Sequence, residues 1–320
     1  MKSPLPAMRK ICLPEKDHQN RFNFHSFPLH IAMKRNQLIS RSDIFFPEDG
    51  IVFAKWGRMK KIITICFLFI GFTAHSSSGQ KVLRTVENKA FRAGEVLKFR
   101  IHYGFIDAGT ATLEVKKEMK NIGGRPCYHI IGSGETMGAF DWFFKVRDRY
   151  ESVVDSQAII PWLFFRRVNE GGYSVNQNVS FNHYTDSAKS EKKTISIPDY
   201  TQDLISAFYF SRTFDATNIK VGDIYPIPGY LDDTTLPLNV KFIGRDVIKT
   251  KVGAIKCLGF RPMLQEGRVF KENEDMTVWV SDDDNHIPVR VEAEVLVGSI
   301  KMDLVSFENI ASPLAVVKDK

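Results

Sequence analysis

Beyond residue 80, apolar and polar positions alternate in short runs. Val96 to Tyr103 (VLKFRIHY), Thr110 to Val115, Tyr128 to Ile131, Phe143 to Val154, Leu236 to Ile243, Met276 to Val280 and Val289 to Val297 are rich in β-branched and aromatic residues. Gly, Asp, Asn and Pro punctuate them at short intervals. A period of two bounded by turn residues predicts strands, and many short strands without helices between them predict antiparallel pairing. One stretch has the helical period: Tyr200 to Arg212 (YTQDLISAFYFSR). Asp199 stands where a cap is wanted, Gln202 three residues later, and Pro198 before it. Leu204, Ile205, Ala207, Phe208, Tyr209 and Phe210 spread apolar surface over more than one face, so this helix is expected to be enclosed.

The strand pattern occurs twice. The first copy runs Gly94-Glu95, Cys127 shortly after Gly124, Asp155 with Pro161 six residues on, then Val179-Ser180-Phe181. The second runs Gly222-Asp223, Cys257 after Gly253, Asp282 with Pro288 six residues on, then Val305-Ser306-Phe307. Equivalent points are 128, 130, 127 and 126 residues apart. Each anchor reads as a turn, Asp bonding its own backbone and Pro opening the next strand where its missing N–H is harmless. The expected fold is therefore mainly β: a curved antiparallel sheet or half-barrel built from two meander repeats, about 94–181 and 222–307, with one hydrophobic helix at 200–212 in the concavity. Residues 182–195 read as a solvated hairpin tip and 312–320 as a loose tail, outside a single domain at 80–311.

The N-terminal segment has a different character. Met59-Lys60-Lys61, an uncharged run of 13 residues from Ile62 to Ala74, and a small polar stretch to Gln80 form the three-part pattern of a secretory signal peptide. The apolar run falls short of the roughly 20 residues of a membrane span, so cleavage is expected to leave a chain that is not an integral membrane protein. A signal peptide works from the N-terminus, which makes residues 1–58 an upstream extension and Met59 the expected initiator.

This reading relocates the charge. The chain holds 44 Lys+Arg against 37 Asp+Glu, a formal net charge of +7. Residues 1–79 hold 12 basic and 5 acidic side chains, which is all of that excess; residues 80–320 carry 32 of each. A basic surface built to follow phosphates is not supported, so no nucleic-acid partner is expected. The export reading also leaves two cysteines, Cys127 and Cys257, which an oxidising compartment could pair; two buried small side chains are the alternative. Neither a metal nor another cofactor is expected, because the four histidines of the exported part (His102, His129, His183, His286) lack ligand spacing.

Several blocks carry a resemblance. GEVLKFRIHYGFIDAGTATLEV (94–115), FFKVRDRYESVVD (143–155), QDLISAFYFSR (202–212) and WVSDDDNHIPVRVEAEVLVGSI (279–300) resemble the exported bacterial family called domain of unknown function 3108, over about residues 88–308. The signal peptide looks like those of Bacteroidetes members. The resemblance implies an envelope location and a β-rich fold, with no established activity and no catalytic residues to transfer. The expected shape is also similar to half-barrel lipoprotein carriers, an analogy of fold alone.

Candidate chemistry is sparse. On a strand from Phe143 to Val154, Lys145, Arg147 and Arg149 would share one face and Val146, Asp148 and Tyr150 the other. That cationic row could hold an anionic head group beside Trp142, Phe143 and Phe144, with Arg166 and Arg167 extending it; a solvated row of ion pairs is the alternative. Asp282-Asp283-Asp284 beside His286 reads as a charged turn rather than a calcium loop. Asp203, Ser206, Tyr209 and Arg212 recur at three-residue steps and form a polar seam on the helix, which could face a ligand or simply support the helix ends. No base stands beside Ser206, and no phosphate loop, GxSxG elbow or HExxH is present. The leading expectation is a non-enzymatic exported protein of the periplasm or envelope that binds a lipid or anionic envelope molecule, either in the concave face of the sheet or on the cationic patch, with Trp142, Lys145, Arg147, Arg149, Arg166 and Tyr209 as the candidate contacts. A structural or assembly role through protein partners ranks second. A hydrolase working through Asp203, Asp148 or the aspartate run ranks last.

Overall fold

The alternation in Val96–Tyr103 translates directly into a strand with one buried face: Leu97, Phe99 and Ile101 are buried while Lys98 is exposed. A computed structural model describes residues 81–263, 276–294 and 298–317. The segments expected to be a signal peptide and an upstream extension lie outside the described residues.

The described chain forms seventeen strands and two helices. β1 (Val96–Tyr103), β2 (Ile106–Val115), β3 (Lys120–Ile122) and β4 (Arg125–Thr136) precede α1 (Gly138–Phe143). Then come β5 (Arg147–Asp155), β6 (Pro161–Glu170), β7 (Tyr173–Asn182), β8 (Ser187–Ser190) and β9 (Thr194–Ser196), followed by α2 (Leu204–Ser211). The second half holds β10 (Ile224–Tyr225), β11 (Pro228–Leu231), β12 (Thr234–Pro237), β13 (Asn239–Thr250), β14 (Gly253–Met263), β15 (Met276–Ser281), β16 (Pro288–Glu294) and β17 (Ser299–Glu308).

All but β11 and β12 join one antiparallel sheet in the order β10-β13-β14-β15-β16-β17-β1-β2-β4-β5-β6-β7-β8-β9, with β3 on β4. The halves meet where β1 pairs with β17, Val96 opposite Glu308. The outermost strands, β10 and β9, do not pair with each other, so the sheet is open. The fold is thus mainly β with a large unclosed antiparallel sheet. No helix among the described residues is long and apolar enough to cross a membrane.

Several expected boundaries move, for physical reasons. The expected strand at Phe143 begins only at Arg147, because residues 138–143 turn as α1, bound to the sheet by Asp141. The expected helix at 200–212 starts at Leu204. The backbone of Gln202 is already committed to β11, its N–H donating to Pro228 and its carbonyl accepting from Tyr230, both at 2.8 Å. Asp203 therefore caps α2 in place of Asp199, and Ser206 closes the capping box in place of Gln202. Residues 182–195 include β8 and the start of β9, with Ala188 in the core. Residues 312–317, expected to hang loose, are tied back: Lys256 donates to Ala315, Val317 to Ala254, and Ala315 to Asp283.

Of the anchors, Asp155 is a turn hub, whereas Val179–Phe181 and Val305–Phe307 lie inside β7 and β17. Asp155 closes the β5–β6 turn by accepting from the backbone N–H groups of Gln157 and Ala158, from the Trp162 indole and from Arg125. Burial works against its charge, yet these donors hold its carboxyl below the usual carboxylate range. In the β15–β16 turn Ser281 occupies the matching place opposite a cysteine, and Asp283 supplies the accepting carboxylate.

A cavity between the sheet and the second helix

The first turn of α2 lies close over β4 because Gly132 has no side chain; a Cβ there would sit 3.0 Å from Ile205 Cδ1. Beside this contact a cavity of about 370 Å³ opens between α2 and the sheet. Residues of ten consecutive strands, β10, β13 through β17 and then β1, β2, β4 and β5, line it. In a flat sheet eight spacings of about 4.8 Å would set β13 and β5 roughly 38 Å apart, so the sheet curls around the space. The opposite wall is α2 and the chain that follows it, including Phe208, Phe214 and Ile227. Apolar side chains dominate the lining, among them Phe99, Leu258, Phe260 and Met302.

The polar groups on the lining are few. Arg212 is bound on its far side: Nη1 and Nη2 donate to Glu95 at 2.6 and 2.8 Å, Nη2 also to Ala90 and Nε to Asn285. His286 donates through Nδ1 to the Arg212 carbonyl at 2.8 Å. Asn239, at the start of β13, has a buried side-chain oxygen with no hydrogen-bond partner among the described residues. Asp148 accepts from the Asn169 N–H at 3.0 Å and neighbours Glu170. Burial, then the hydrogen bond and charge of Asp148, push the Glu170 carboxyl up to about 8, and burial raises Asp148 as well.

The residues singled out from the sequence do not converge. Val146, Asp148 and Tyr150 line the cavity, so alternation places Arg147 and Arg149 on the outer face of β5, with Arg167 across from Arg149. Lys145 precedes the strand. The outer cations are bonded to acids: Arg147 to Asp141 at 2.6 Å and to Glu135 at 3.7 Å, and Arg149 to Glu151 at 2.7 Å. Arg166 lies on the opposite, inner face across from Tyr150, wholly buried, and donates to Asp232 at 2.6 Å. Trp142 is on α1 at the end of the sheet, and Tyr209 is fully buried with its ring against Phe91. One continuous cationic surface from Lys145 to Arg166 is therefore not formed, because neighbours along a strand face opposite ways.

The seam on α2 exists but is occupied. Asp203 accepts from Ser152 Oγ at 2.6 Å and from the Ile205 and Ser206 amides at 2.8 Å, and burial still lifts it to about 6. In the aspartate run, Asp282 pairs with Arg245 while Asp283 is consumed by the turn. No group of three or more His, Cys, Asp or Glu among the described residues could hold a metal ion. The disulfide is not formed: Cys127 and Cys257 are free and buried. They lie on β4 and β14 with five strands between them and in separate apolar clusters.

A family model described as "Protein of unknown function (DUF3108)" matches residues 98–305. The chain belongs to this family. Among solved structures, a beta-barrel-like protein of domain of unknown function DUF1849 from Brucella abortus is similar at 11% identity and TM-score 0.46, covering 71% of this chain and 99% of that one. A "putative lipoprotein" from Parabacteroides distasonis gives 13% identity and TM-score 0.34, with 70% and 99% covered. No curated protein matches the chain. In this DUF3108 chain sequence reasoning missed Glu95, read only as a turn residue, and, having named the concave face of the sheet as one place for a ligand, left open whether that space is empty or filled. The available signal for Glu95 was an acid directly before a strand of alternating apolar residues; its partner lies 117 residues away.

Proposed function

We propose that this DUF3108 chain is a non-enzymatic, exported envelope protein that holds the apolar part of an amphipathic molecule in the cavity under α2. The observation that carries the reading is the cavity: about 370 Å³, walled by ten strands of the sheet and a helix, almost wholly apolar. That volume lies in the lower range of small-molecule sites. The unpartnered Asn239 oxygen supplies one place for a hydroxyl or amide donor of the ligand. In this reading the two meanders are copies of one unit, together a half-barrel with α2 set in its concavity. The cationic outer face of β5 takes no part.

The test uses an environment-sensitive fluorescent fatty acid added to the purified protein. Saturable uptake is expected, and Ala111→Phe, which projects a ring into the space from β2, is expected to abolish it while leaving the circular dichroism unchanged. Absence of saturable uptake, or uptake indifferent to Ala111→Phe, would refute the reading.

A further inference from the structure

One end of the sheet shows large apolar side chains to the outside. In the β1–β2 turn Phe105 is fully exposed and Ile106 more than half so. In α1, between β4 and β5, Trp142 and Phe143 are 81% and 76% exposed, and Met137 at the N-cap is exposed too. The two groups are neighbours, because α1 packs beside β2 and the Met137 N–H donates to the Ala108 carbonyl at 3.0 Å. The arrangement is the reverse of an ordinary surface helix. The polar residue of α1 faces the protein: Asp141 accepts from Thr136 Oγ1 at 2.8 Å and from both Arg147 Nη atoms at 2.6 and 3.1 Å. The aromatics face away and brace each other edge to face, with ring centres 4.6 Å apart. An apolar surface held out by polar bonds on its inner side marks an interaction site rather than a packing accident.

Its charges fit a lipid surface. Asp107, Glu135 and Asp141 are tied back by Arg100 and Arg147, while Lys145, directly after the aromatics, is exposed. Three acids and three cations leave no net negative field to repel phosphates, and an outward ammonium beside Trp and Phe is suited to the head-group layer. The same end of the strands borders the cavity, where Ile101, Gly134, Val146, Pro262 and Met276 form part of the lining.

We infer that the β1–β2 turn and α1 dock this protein on a phospholipid bilayer. Phe105, Ile106, Trp142 and Phe143 enter the interfacial layer and Lys145 sits among the phosphates. The cavity then lies next to the membrane, so its occupant passes between bilayer and protein without crossing open water. That last step rests on the function proposed above; the docking does not.

The experiment measures co-sedimentation of the purified protein, its N-terminus read by mass spectrometry, with vesicles of phosphatidylethanolamine and phosphatidylglycerol (3:1), alongside the fluorescent fatty-acid assay without vesicles. Quenching of tryptophan fluorescence by brominated lipids and a loss of at least about tenfold in vesicle binding for Trp142→Ala/Phe143→Ala are expected, since interfacial binding scales with buried apolar area. Phe105→Ser/Ile106→Ser is expected to act likewise, and urea midpoints confirm that both variants fold. Ala111→Phe is expected to keep vesicle binding while losing fatty-acid uptake. No vesicle binding, binding unchanged in both double variants, or a patch-dependent dimer in sedimentation equilibrium would overturn the docking. Vesicle binding without fatty-acid uptake sustains the docking and sinks the cavity reading alone.

Discussion

Replacing Arg212 by Met tests what joins α2 to the sheet. The guanidinium is buried and makes four hydrogen bonds, two to a buried carboxylate, Glu95, and one each to the carbonyls of Ala90 and Asn285; it also lies 4.9 Å from the Tyr209 ring centre. Methionine fills much of the volume but leaves the Glu95 charge in a dry site with no counter-ion. Breaking a buried pair from one side costs about 3–5 kcal/mol. The two orphaned carbonyls act in the same direction, about 1 kcal/mol each and not fully additive. Set against a total stability of about 5–15 kcal/mol, the loss is large. At about 2–4 °C per kcal/mol for a domain of this size, Tm should fall by roughly 6–20 °C. Urea unfolding followed by tryptophan fluorescence gives the free energy directly. The Arg212→Met/Glu95→Leu double variant removes the stranded charge and should recover at least half of the loss. A double variant no more stable than Arg212→Met would refute the argument, because the cost would then come from packing rather than from an unpaired carboxylate.

Two further outcomes follow from the burial of titratable groups. Glu170 has its folded pKa raised to about 8 from an ordinary 4.5, so between those values the folded state holds the extra proton and stability falls as pH rises. Glu170→Gln should flatten that decline in the urea midpoint from pH 4.5 to 8, and equal slopes in the two proteins would contradict it. Burial lifts the thiols of Cys127 and Cys257 to about 11 and about 12. In a chain lacking residues 1–79, neither should react with a thiol reagent in the native state, and two should react after denaturation without reductant. Fewer than two would show that they pair.

Strand identity was legible because a period of two is local information: Val96 to Tyr103 reads off its buried face residue by residue, and Met276 to Val280 recovers nearly all of β15. Errors arose where a non-local partner claimed the backbone first. The start of α2 was misplaced because Gln202 is bonded to β11, whose sequence lies 26 or more residues on and shows no sign of that contact. The cationic row from Lys145 was overextended because Asp141 binds α1 down against Arg147, which interrupts the strand.

The sequence by itself determined that this is a β-rich chain with balanced charge beyond residue 79, that Asp and Pro set its long turns, and that one helix is too greasy for open water. Those properties are written in composition and short-range periodicity. Which strands face each other across a cavity, that Arg166 and Arg167 point to opposite sides, and that Arg212 finds Glu95 were decided only by the tertiary structure. The pairing of β1 with β17 joins residues about two hundred positions apart and the open sheet curls through many strands, and no window of sequence records how such a surface curves.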